Sequence, residues 1–306
     1  MGYDYCMKIV VTQPMEFYAD QRERIKSLGK VTFYDELAKS PEEWLKRCKD
    51  ADIICTGKFG LKEKWQELHN VFVSLPFVGA GFIDPKIAKK NGAIFSRSPG
   101  CNRHAVSEWI IGMMLTMFRE LDKYLGIENL PEHKMPRPTV GLAYKKVTVL
   151  GKGNIGSRVG KICGALDMDV TYFERGDNLL DKVKEADVIV DVLSNNLSIE
   201  NLLNAEFFNG LKKGAYFISV TGGSIVDIDA MLDALDSGKL QAAAHDSGDI
   251  QMGDTKDAFY QRLLAHPKVY VTPHISYNTD VTHRISNDMM IDNVEAYLGG
   301  ELQNLV

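Results

Sequence analysis

The sequence lacks any long hydrophobic run and any excess of basic residues. Its longest apolar stretch, residues 109–118, is far shorter than the roughly 18 residues that a membrane-spanning helix needs. No basic segment followed by an apolar one opens the chain, so we expect no secretory signal. The net charge of -5 predicts neither nucleic acid nor an anionic membrane as a partner.

Cysteine is sparse and irregularly spaced. There are five cysteines, an odd number, and no two of them are separated by only two or three residues. This arrangement argues against a disulfide framework and against a structural zinc site. We therefore expect free thiols, no bound metal and a reducing, cytoplasmic compartment.

What the sequence does contain is an alternation of short apolar strands and helices. The length of 306 residues suggests two domains, and the alternation favours parallel sheets. The predicted strands form two sets, at residues 8–12, 31–34, 52–56, 71–75 and 93–96, and at 147–150, 170–173, 188–192, 216–220, 242–244 and 269–272. The sequence therefore predicts an α/β protein with two parallel sheets.

Helix signals fall between these strands. A helix is predicted over residues 16–28, and Ser40 followed by Pro41 is typical of a capped helix start. A long helix is predicted from His104 to about residue 125, and a final one over residues 280–298. Residues 126–144 contain three prolines and little periodicity, which favours a linker or surface loop.

The clearest functional motif follows the strand at residues 147–150. Gly151, Gly153 and Gly156 form the pattern G-x-G-x-x-G, with Asn154 and Ile155 inside it at the start of a helix. The first glycine permits a tight turn, the second lets the backbone approach a pyrophosphate, and the third lets helix pack on strand. The helix N-terminus offers free N–H groups to the phosphates. The motif predicts dinucleotide binding, and the alternative is a tight βα turn without a ligand.

An acidic residue stands where the second strand of this set ends. Glu174 follows the glycine motif by roughly 20 residues, where a carboxylate accepts hydrogen bonds from a ribose 2′-hydroxyl and repels a 2′-phosphate. This favours NAD over NADP, although the neighbouring Arg175 is placed to pair with a 2′-phosphate. A solvated carboxylate at a strand end is the alternative interpretation of Glu174.

Five further segments occur in the order and at the distances seen in a known family. They are SPGCNRHAVSEWIIGMML, EADVIVDVLSNN, NGLKKGAYFISVTGGSIVD, AAAHDSGDIQ and VYVTPHISYNT. With the glycine motif, they resemble the D-isomer-specific 2-hydroxyacid dehydrogenases, the NAD-dependent family that includes phosphoglycerate and formate dehydrogenases. The resemblance covers roughly residues 50 to 300.

The resemblance implies two flavodoxin-like or Rossmann-like domains with an active site in the cleft between them. The substrate domain would be residues 1–98 plus 277–306, and the NAD-binding domain residues 99–276. It also implies NAD, with NADP the less expected cofactor, a small-molecule substrate and a homodimer. The apolar helix from His104 offers a broad face for such a dimer.

The same resemblance assigns catalytic roles, and two of the family's catalytic residues are missing. His274, in TPHI, matches the proton-transferring histidine, with a structural histidine at a strand end as the alternative. The arginine position holds Gly222; loss of a charge-assisted pair predicts a rate loss of roughly tenfold to several hundredfold. Gln251 replaces the glutamate, and a neutral amide does not favour imidazolium by charge. Asp249 is the other candidate partner of His274.

Further binding residues are implied by position in the same segments. Beyond the glycine motif, Glu174 and Arg175, the predicted cofactor-binding residues are Ser194, Thr221, Gly222, Asp246 and His274. The predicted substrate-binding residues are Lys58, Gly79, Ala80 and Gly81. Arg97, Arg103 and His104 are further cations near the expected cleft, and a solvated surface charge is the alternative for each of them, as for Lys58.

Two functions of different classes fit these observations. The first is an NAD-dependent oxidoreductase that transfers hydride between NAD(H) and a small 2-oxo or 2-hydroxy acid, or a related carbonyl compound. Since reduction consumes a proton, its rate should rise as the pH falls. The second is a non-catalytic NAD(H)-binding sensor or interaction protein, which the intact glycine motif beside an incomplete catalytic set suggests.

Overall fold

The computed structural model describes residues 7–125, 138–194, 199–222, 225–246, 250 and 253–306. These residues separate into two compact units. Unit 1 comprises the described residues up to Asn102 together with Asn278–Val306, and unit 2 comprises those within Arg103–Tyr277. The boundaries expected from the sequence lie a few residues before those of the units.

Unit 1 is built on a parallel sheet. Its strands are β1 (Lys8–Val11), β2 (Lys30–Phe33), β3 (Ile53–Cys55), β4 (Phe72–Ser74) and β5 (Ile94–Ser96). They pair in the order β2-β1-β3-β4-β5, with every pair parallel. The strand order reverses between β1 and β3. The carboxyl ends of these two strands therefore flank the topological switch point, where open α/β sheets bind ligands.

Unit 2 contains a second parallel sheet. Its strands are β6 (Lys146–Leu150), β7 (Asp169–Phe173), β8 (Val188–Asp191), β9 (Ala215–Ser219), β10 (Leu240–Asp246) and β11 (Val269–Thr272). Their order is β11-β10-β9-β8-β6-β7, so the switch point lies between β6 and β8. Every strand predicted from the sequence is present, with ends shifted by a few residues at most.

Helices connect these strands. They are α1 (Ala19–Lys26), α2 (Pro41–Cys48), α3 (Leu61–Lys64), α4 (Pro85–Lys90), α5 (Arg103–Arg119), α6 (Leu121–Tyr124), α7 (Asn154–Ala165), α8 (Leu179–Val183), α9 (Ala205–Gly210), α10 (Ile228–Asp236), α11 (Ala258–Leu264) and α12 (Asp280–Leu298), with a short 3-10 turn at Trp65–Glu67. Within the described parts of the chain, none of the helices has the length and apolarity needed to cross a membrane.

Local chemistry explains where several helices begin and end. Ser40 caps α2 as predicted, its Oγ accepting a hydrogen bond from the backbone N–H of Glu43 at 3.2 Å. The helix predicted from residue 16 begins only at Ala19, since Glu16 has a φ of 50°. The long helix predicted to residue 125 breaks after Arg119 because Glu120 is left-handed, with a φ of 49°.

Each sheet carries an apolar core on both faces, because successive strand residues point to opposite sides. In β8, Val188 and Val190 enter one core of unit 2, whereas Ile189 enters the other. The second core is centred on Phe217 of β9, which is fully buried and makes edge-on contacts with Phe208 and Phe207 at ring distances of 5.3 and 6.2 Å. These cores hold the strand ends of unit 2 in register.

We expect Phe217→Ala to lower the free energy of unfolding by about 3–5 kcal/mol, because it leaves a cavity among aromatic rings. Urea denaturation followed by circular dichroism measures this change. Leu264→Ala, whose side chain is 51% exposed, is the control and should change the value by less than about 0.5 kcal/mol. Equal effects from the two substitutions would contradict this account of the core.

Candidate functional site

The glycine motif joins β6 to α7 at the switch point of the unit 2 sheet. Gly151 has a φ of 98°, a conformation that L side chains rarely adopt. A Cβ at this position would lie 3.4 Å from the carbonyl oxygen of Val192. The turn after β6 therefore packs closely on the segment after β8, and glycine is required there.

The start of α7 forms an open backbone cradle. Asn154 and Ile155 begin the helix, and Gly153 before them provides no side-chain cap. A Cβ on Gly153 would meet nothing within 4 Å, whereas one on Gly156 would overlap the carbonyl oxygen of Gly151. The open space and the uncapped N–H groups fit the pyrophosphate of a dinucleotide. Gly156 permits the close approach of helix to turn.

Charged residues surround the end of β7. Glu174 and Arg175 follow this strand and are both exposed. The Glu174 carboxylate lies 3.6 Å from Nζ of Lys152, the residue between the first two glycines of the motif. The sequence analysis missed Lys152, although a lysine inside a glycine motif is a signal that identifies it. Its charge weakens the repulsion with which Glu174 would exclude a 2′-phosphate.

A buried carboxylate ties the ends of β8 and β9 together. Asp191, the last residue of β8, is fully buried. It accepts hydrogen bonds from Ser219 Oγ at 2.9 Å, from the Leu193 N–H at 3.2 Å and from Thr221 Oγ1. Burial raises the pKa of Asp191 to about 6, although these hydrogen bonds act in the opposite direction. The sequence analysis missed this residue, whose signal was an acid ending an otherwise apolar strand.

Three predicted cofactor residues lie at the same edge of the unit 2 sheet. Thr221 and Gly222 follow β9 and are buried, while Ser194 follows β8 and is exposed. The Thr221 N–H donates to Ser219 Oγ at 3.2 Å, so the Asp191 network sets the path of this segment. Gly222 contributes no cation here, and its equivalence to the family's arginine position stays a prediction.

Asp246 fixes the turn that carries His274. It is the last residue of β10 and is 1% exposed. Its carboxylate accepts hydrogen bonds from Thr272 Oγ1 at 2.6 Å and from the N–H groups of Ile275 and Ser276, both at 2.9 Å. Asp246 therefore holds the chain on both sides of His274, through the Thr272 hydroxyl before it and through two backbone N–H groups after it. Its direct contact with a cofactor stays a prediction.

His274 is held in an unusual conformation at the end of β11. Its φ of 56° is left-handed, which is uncommon for a residue other than glycine. Its Nδ1 lies 3.1 Å from the carbonyl oxygen of Ile250. Because a carbonyl only accepts, Nδ1 carries a hydrogen, and Nε2 is the nitrogen that remains for a ligand. The ring of Tyr277 packs against the imidazole at 5.4 Å. Gln251 and Asp249 lie outside the described residues.

The predicted substrate residues follow strands of unit 1. Lys58 comes after β3, and Gly79, Ala80 and Gly81 come after β4. Nζ of Lys58 lies 5.3 Å from the ring centre of Phe77, and desolvation lowers the pKa of this ammonium. Ala80 is buried, whereas a Cβ on Gly79 or Gly81 would meet nothing within 4 Å. The carboxyl edge of the unit 1 sheet thus brings the Lys58 ammonium to the start of the segment that contains Gly79, Ala80 and Gly81.

Two other cations weighed from the sequence belong to the start of α5. Arg103 Nε and His104 Nε2 are 3.2 Å apart. Desolvation and the charges of Arg158 and Arg103 lower the pKa of His104. Cys101, just before this helix, is buried, and burial raises the pKa of its thiol to about 11. This thiol is therefore unsuited to act as a nucleophile.

Comparison with known proteins gives a consistent result. Residues 111–276 match the family model of the D-isomer specific 2-hydroxyacid dehydrogenase NAD binding domain. A hydroxypyruvate reductase of Blautia hydrogenotrophica is 26% identical over 310 residues, which cover 92% of this chain and 93% of that protein. The match therefore extends over both units.

Solved structures share this fold over almost the whole chain. A D-lactate dehydrogenase with NAD+ from Lactobacillus jensenii has a TM-score of 0.76 at 23% identity, covering 98% of this chain and 99% of that one. An acyclic imino acid reductase in complex with NADPH and D-Arg has a TM-score of 0.82 at 19% identity, covering 98% and 100%. At these identities the likeness concerns the fold alone.

Because Asp191 is buried, we expect the stability of the folded protein to depend on pH. Its pKa rises from 3.8 to about 6 on folding, so the folded state holds this proton more tightly. The free energy of unfolding should therefore fall as the pH rises from 3.8 to about 6, by about 3 kcal/mol in total, and should stay constant above that pH.

Asp191→Asn removes this ionisation and keeps an acceptor for the same hydroxyl groups. Denaturant titrations at each pH measure the free energy of unfolding. As the pH rises from 4 to 7, this free energy should increase for Asp191→Asn relative to the wild type. The exposed Asp181→Asn variant is the control and should follow the wild type. Parallel curves for wild type and Asp191→Asn would refute the assignment.

Proposed function

Because the chain belongs to the D-isomer specific 2-hydroxyacid dehydrogenases, we propose that it reduces a small 2-oxo acid to the 2-hydroxy acid with NADH, and catalyses the reverse oxidation. It is an NAD-binding oxidoreductase of the type that acts on CH–OH groups. The observation that carries the proposal is the constrained His274 turn in the same sheet as an intact glycine cradle. A non-catalytic sensor would not require that turn, and the family and its curated relatives favour the enzyme.

The residues at the switch point of unit 2 fit the cofactor. When bound, NADH supplies the hydride. The N–H groups at the start of α7 would hold its pyrophosphate, and Glu174 would accept hydrogen bonds from the adenosine ribose. The segments of Ser194 and of Thr221 and Gly222 are ordered by the Asp191 network and would contact the rest of the cofactor.

His274 transfers the proton. Because Nδ1 donates to the carbonyl of Ile250, the imidazole keeps one orientation, and Nε2 gives a proton to the developing alkoxide during reduction. In the oxidation of the hydroxy acid, Nε2 accepts that proton. Asp246 contributes by fixing the backbone of the turn, and a role for Gln251 beside the imidazole stays a prediction from the sequence.

Unit 1 binds the carboxylate. With Gly222 at the family's arginine position, the charge on the substrate is met by Lys58 and by the backbone N–H groups of the segment Gly79, Ala80 and Gly81. The open space beside both glycines admits a carboxylate close to the backbone. The moderate field of one ammonium and these dipoles replaces the bidentate arginine.

The first test is NADH oxidation with a series of 2-oxo acids, compared between wild type and His274→Gln. We expect His274→Gln to lower kcat by about 10²–10⁴-fold, the usual contribution of a general acid, and to retain NADH binding measured by fluorescence. The exposed His69→Gln variant is the control. Turnover unaffected by His274→Gln, or no turnover by a wild type that binds NADH, would contradict the proposal.

We also propose a homodimer in which α5 packs against a second copy. Trp109, Ile111, Met113 and Leu115 of this helix are only partly buried in the single chain. Tyr144, which precedes β6, is 89% exposed. Apolar side chains left open along a central helix are typical of an obligate interface.

Met113→Glu should therefore convert the dimer to a monomer, because it places a charge in the buried interface. Size-exclusion chromatography with light scattering measures the mass at micromolar concentration. Leu264→Glu, on the exposed side of α11, is the control and should remain dimeric. A wild type of monomer mass would show that α5 is not the interface.

We place the enzyme in a reducing, cytoplasmic setting. Cys48, Cys55, Cys101 and Cys163 are buried free thiols. Burial raises the pKa of each of these thiols to about 11 or 12, which keeps them unreactive. Such residues act as small apolar side chains and need no oxidising environment.

A further inference from the structure

Arg97 is a second cation at the carboxyl edge of the unit 1 sheet. It follows β5, and its Nη1 lies 3.4 Å from the carbonyl oxygen of Val78. Its Nε is buried and has no hydrogen-bond partner among the described residues. Over the same residues, no carboxylate forms an ion pair with this guanidinium. Arg97 therefore brings a positive charge that no carboxylate among the described residues of unit 1 pairs with.

Lys58 and Arg97 converge on one segment from opposite sides. Strands β3 and β5 are separated by two inter-strand spacings, ~10 Å, with β4 between them. Lys58 lies over the ring of Phe77, and Arg97 contacts the backbone of Val78, the next residue. Two cations thus frame the start of the loop that contains Gly79.

A polar side chain completes this edge at the switch point. Gln13 follows β1, and its amide packs on Gly57, where a Cβ would lie 2.5 Å from Nε2 of Gln13. The amide oxygen of Gln13 is buried and has no hydrogen-bond partner within the described residues. Unsatisfied buried polar atoms are rare in folded proteins and point to a missing ligand or water. Gln13 and Lys58 therefore flank the position where a sheet of this topology binds its ligand.

We infer that this edge binds two anionic groups, so that the substrate is a 2-oxo acid with a second carboxylate or a phosphate. The Lys58 ammonium and the N–H groups of the segment that contains Gly79 suffice to bind the 2-carboxylate. A substrate with a neutral chain would then leave Arg97 unpaired. An unpaired, partly desolvated cation opposes binding of such a substrate, which gives selectivity for the dianion. The inference rests on the proposed function, and Lys58 and Arg97 are its specificity residues.

The test compares substrates of equal chain length. We would measure kcat/KM for 2-oxobutyrate against oxaloacetate, 2-oxovalerate against 2-oxoglutarate, and hydroxypyruvate against its 3-phosphate. For at least one pair, we expect kcat/KM of the dianion to exceed that of the acid without the second anionic group by about tenfold or more. This is the usual effect of one charge-assisted hydrogen bond. The pairs distinguish a carboxylate from a phosphate as the second group.

Substitutions identify which cation causes the preference for the dianion. Arg97→Met should reduce the preference for the dianion by about 10- to 100-fold, with a smaller change for the neutral-chain acid, and Arg97→Lys should keep most of it. Lys58→Met should lower kcat/KM for both classes, and more for the dianion. Lys62→Met removes a neighbouring exposed charge and is the matched control. Circular dichroism establishes that each variant is folded.

A binding measurement separates this inference from the proposed function. Calorimetric titration with glutarate and with valerate, without cofactor, should show tighter binding of glutarate than of valerate to the wild type, and Arg97→Met should lose this difference. If no 2-oxo acid is reduced but this difference is found, the proposed function fails and the two-anion site stands. If neutral-chain acids are reduced as well as dianions and Arg97→Met changes neither, the inference is overturned and the function stands.

Discussion

Parallel pairing of the strands is the constraint on which both units depend. In a parallel sheet all carboxyl ends share one edge, and the residues that follow the strands are brought together there regardless of their distance along the chain. In unit 2 this edge collects the glycine motif after β6, Asp191 at the end of β8, Thr221 after β9 and His274 after β11. In unit 1 it collects Gln13, Lys58 and Arg97.

Two buried aspartates stabilise the unit 2 edge in different ways. Asp246 accepts three hydrogen bonds, two of them from backbone N–H groups. These bonds restrain the turn that contains His274. Asp191 accepts its bonds from two hydroxyl groups and one N–H, which do not offset the cost of burying its charge. The first carboxylate restrains the turn that carries His274, the residue to which we assign proton transfer. The second joins the ends of β8 and β9 next to the glycine motif.

Position 222 is a glycine and offers no cation, whereas two cations, Lys58 and Arg97, lie at the carboxyl edge of the unit 1 sheet. Lys58 and Arg97 are attached to different strands and approach consecutive residues. In the proposed function these two cations would bind acid groups of the substrate and would not polarise its carbonyl. Such a placement would favour substrate binding and selectivity.

The sequence by itself determined the α/β class, the strands, the glycine motif and the candidate His274, because each depends on local periodicity or on a short contiguous pattern. It also identified the Ser40 cap, which involves neighbours in the chain. It did not find the break at Glu120, where one left-handed residue ends a helix whose apolar pattern continues. Only the tertiary structure decided the partners of Asp191, the hydrogen bond from His274 to Ile250 and the approach of Lys58 and Arg97 to the neighbouring residues Phe77 and Val78. These contacts depend on which strand ends become neighbours, and parallel pairing, which the local pattern does not encode residue by residue, sets that arrangement.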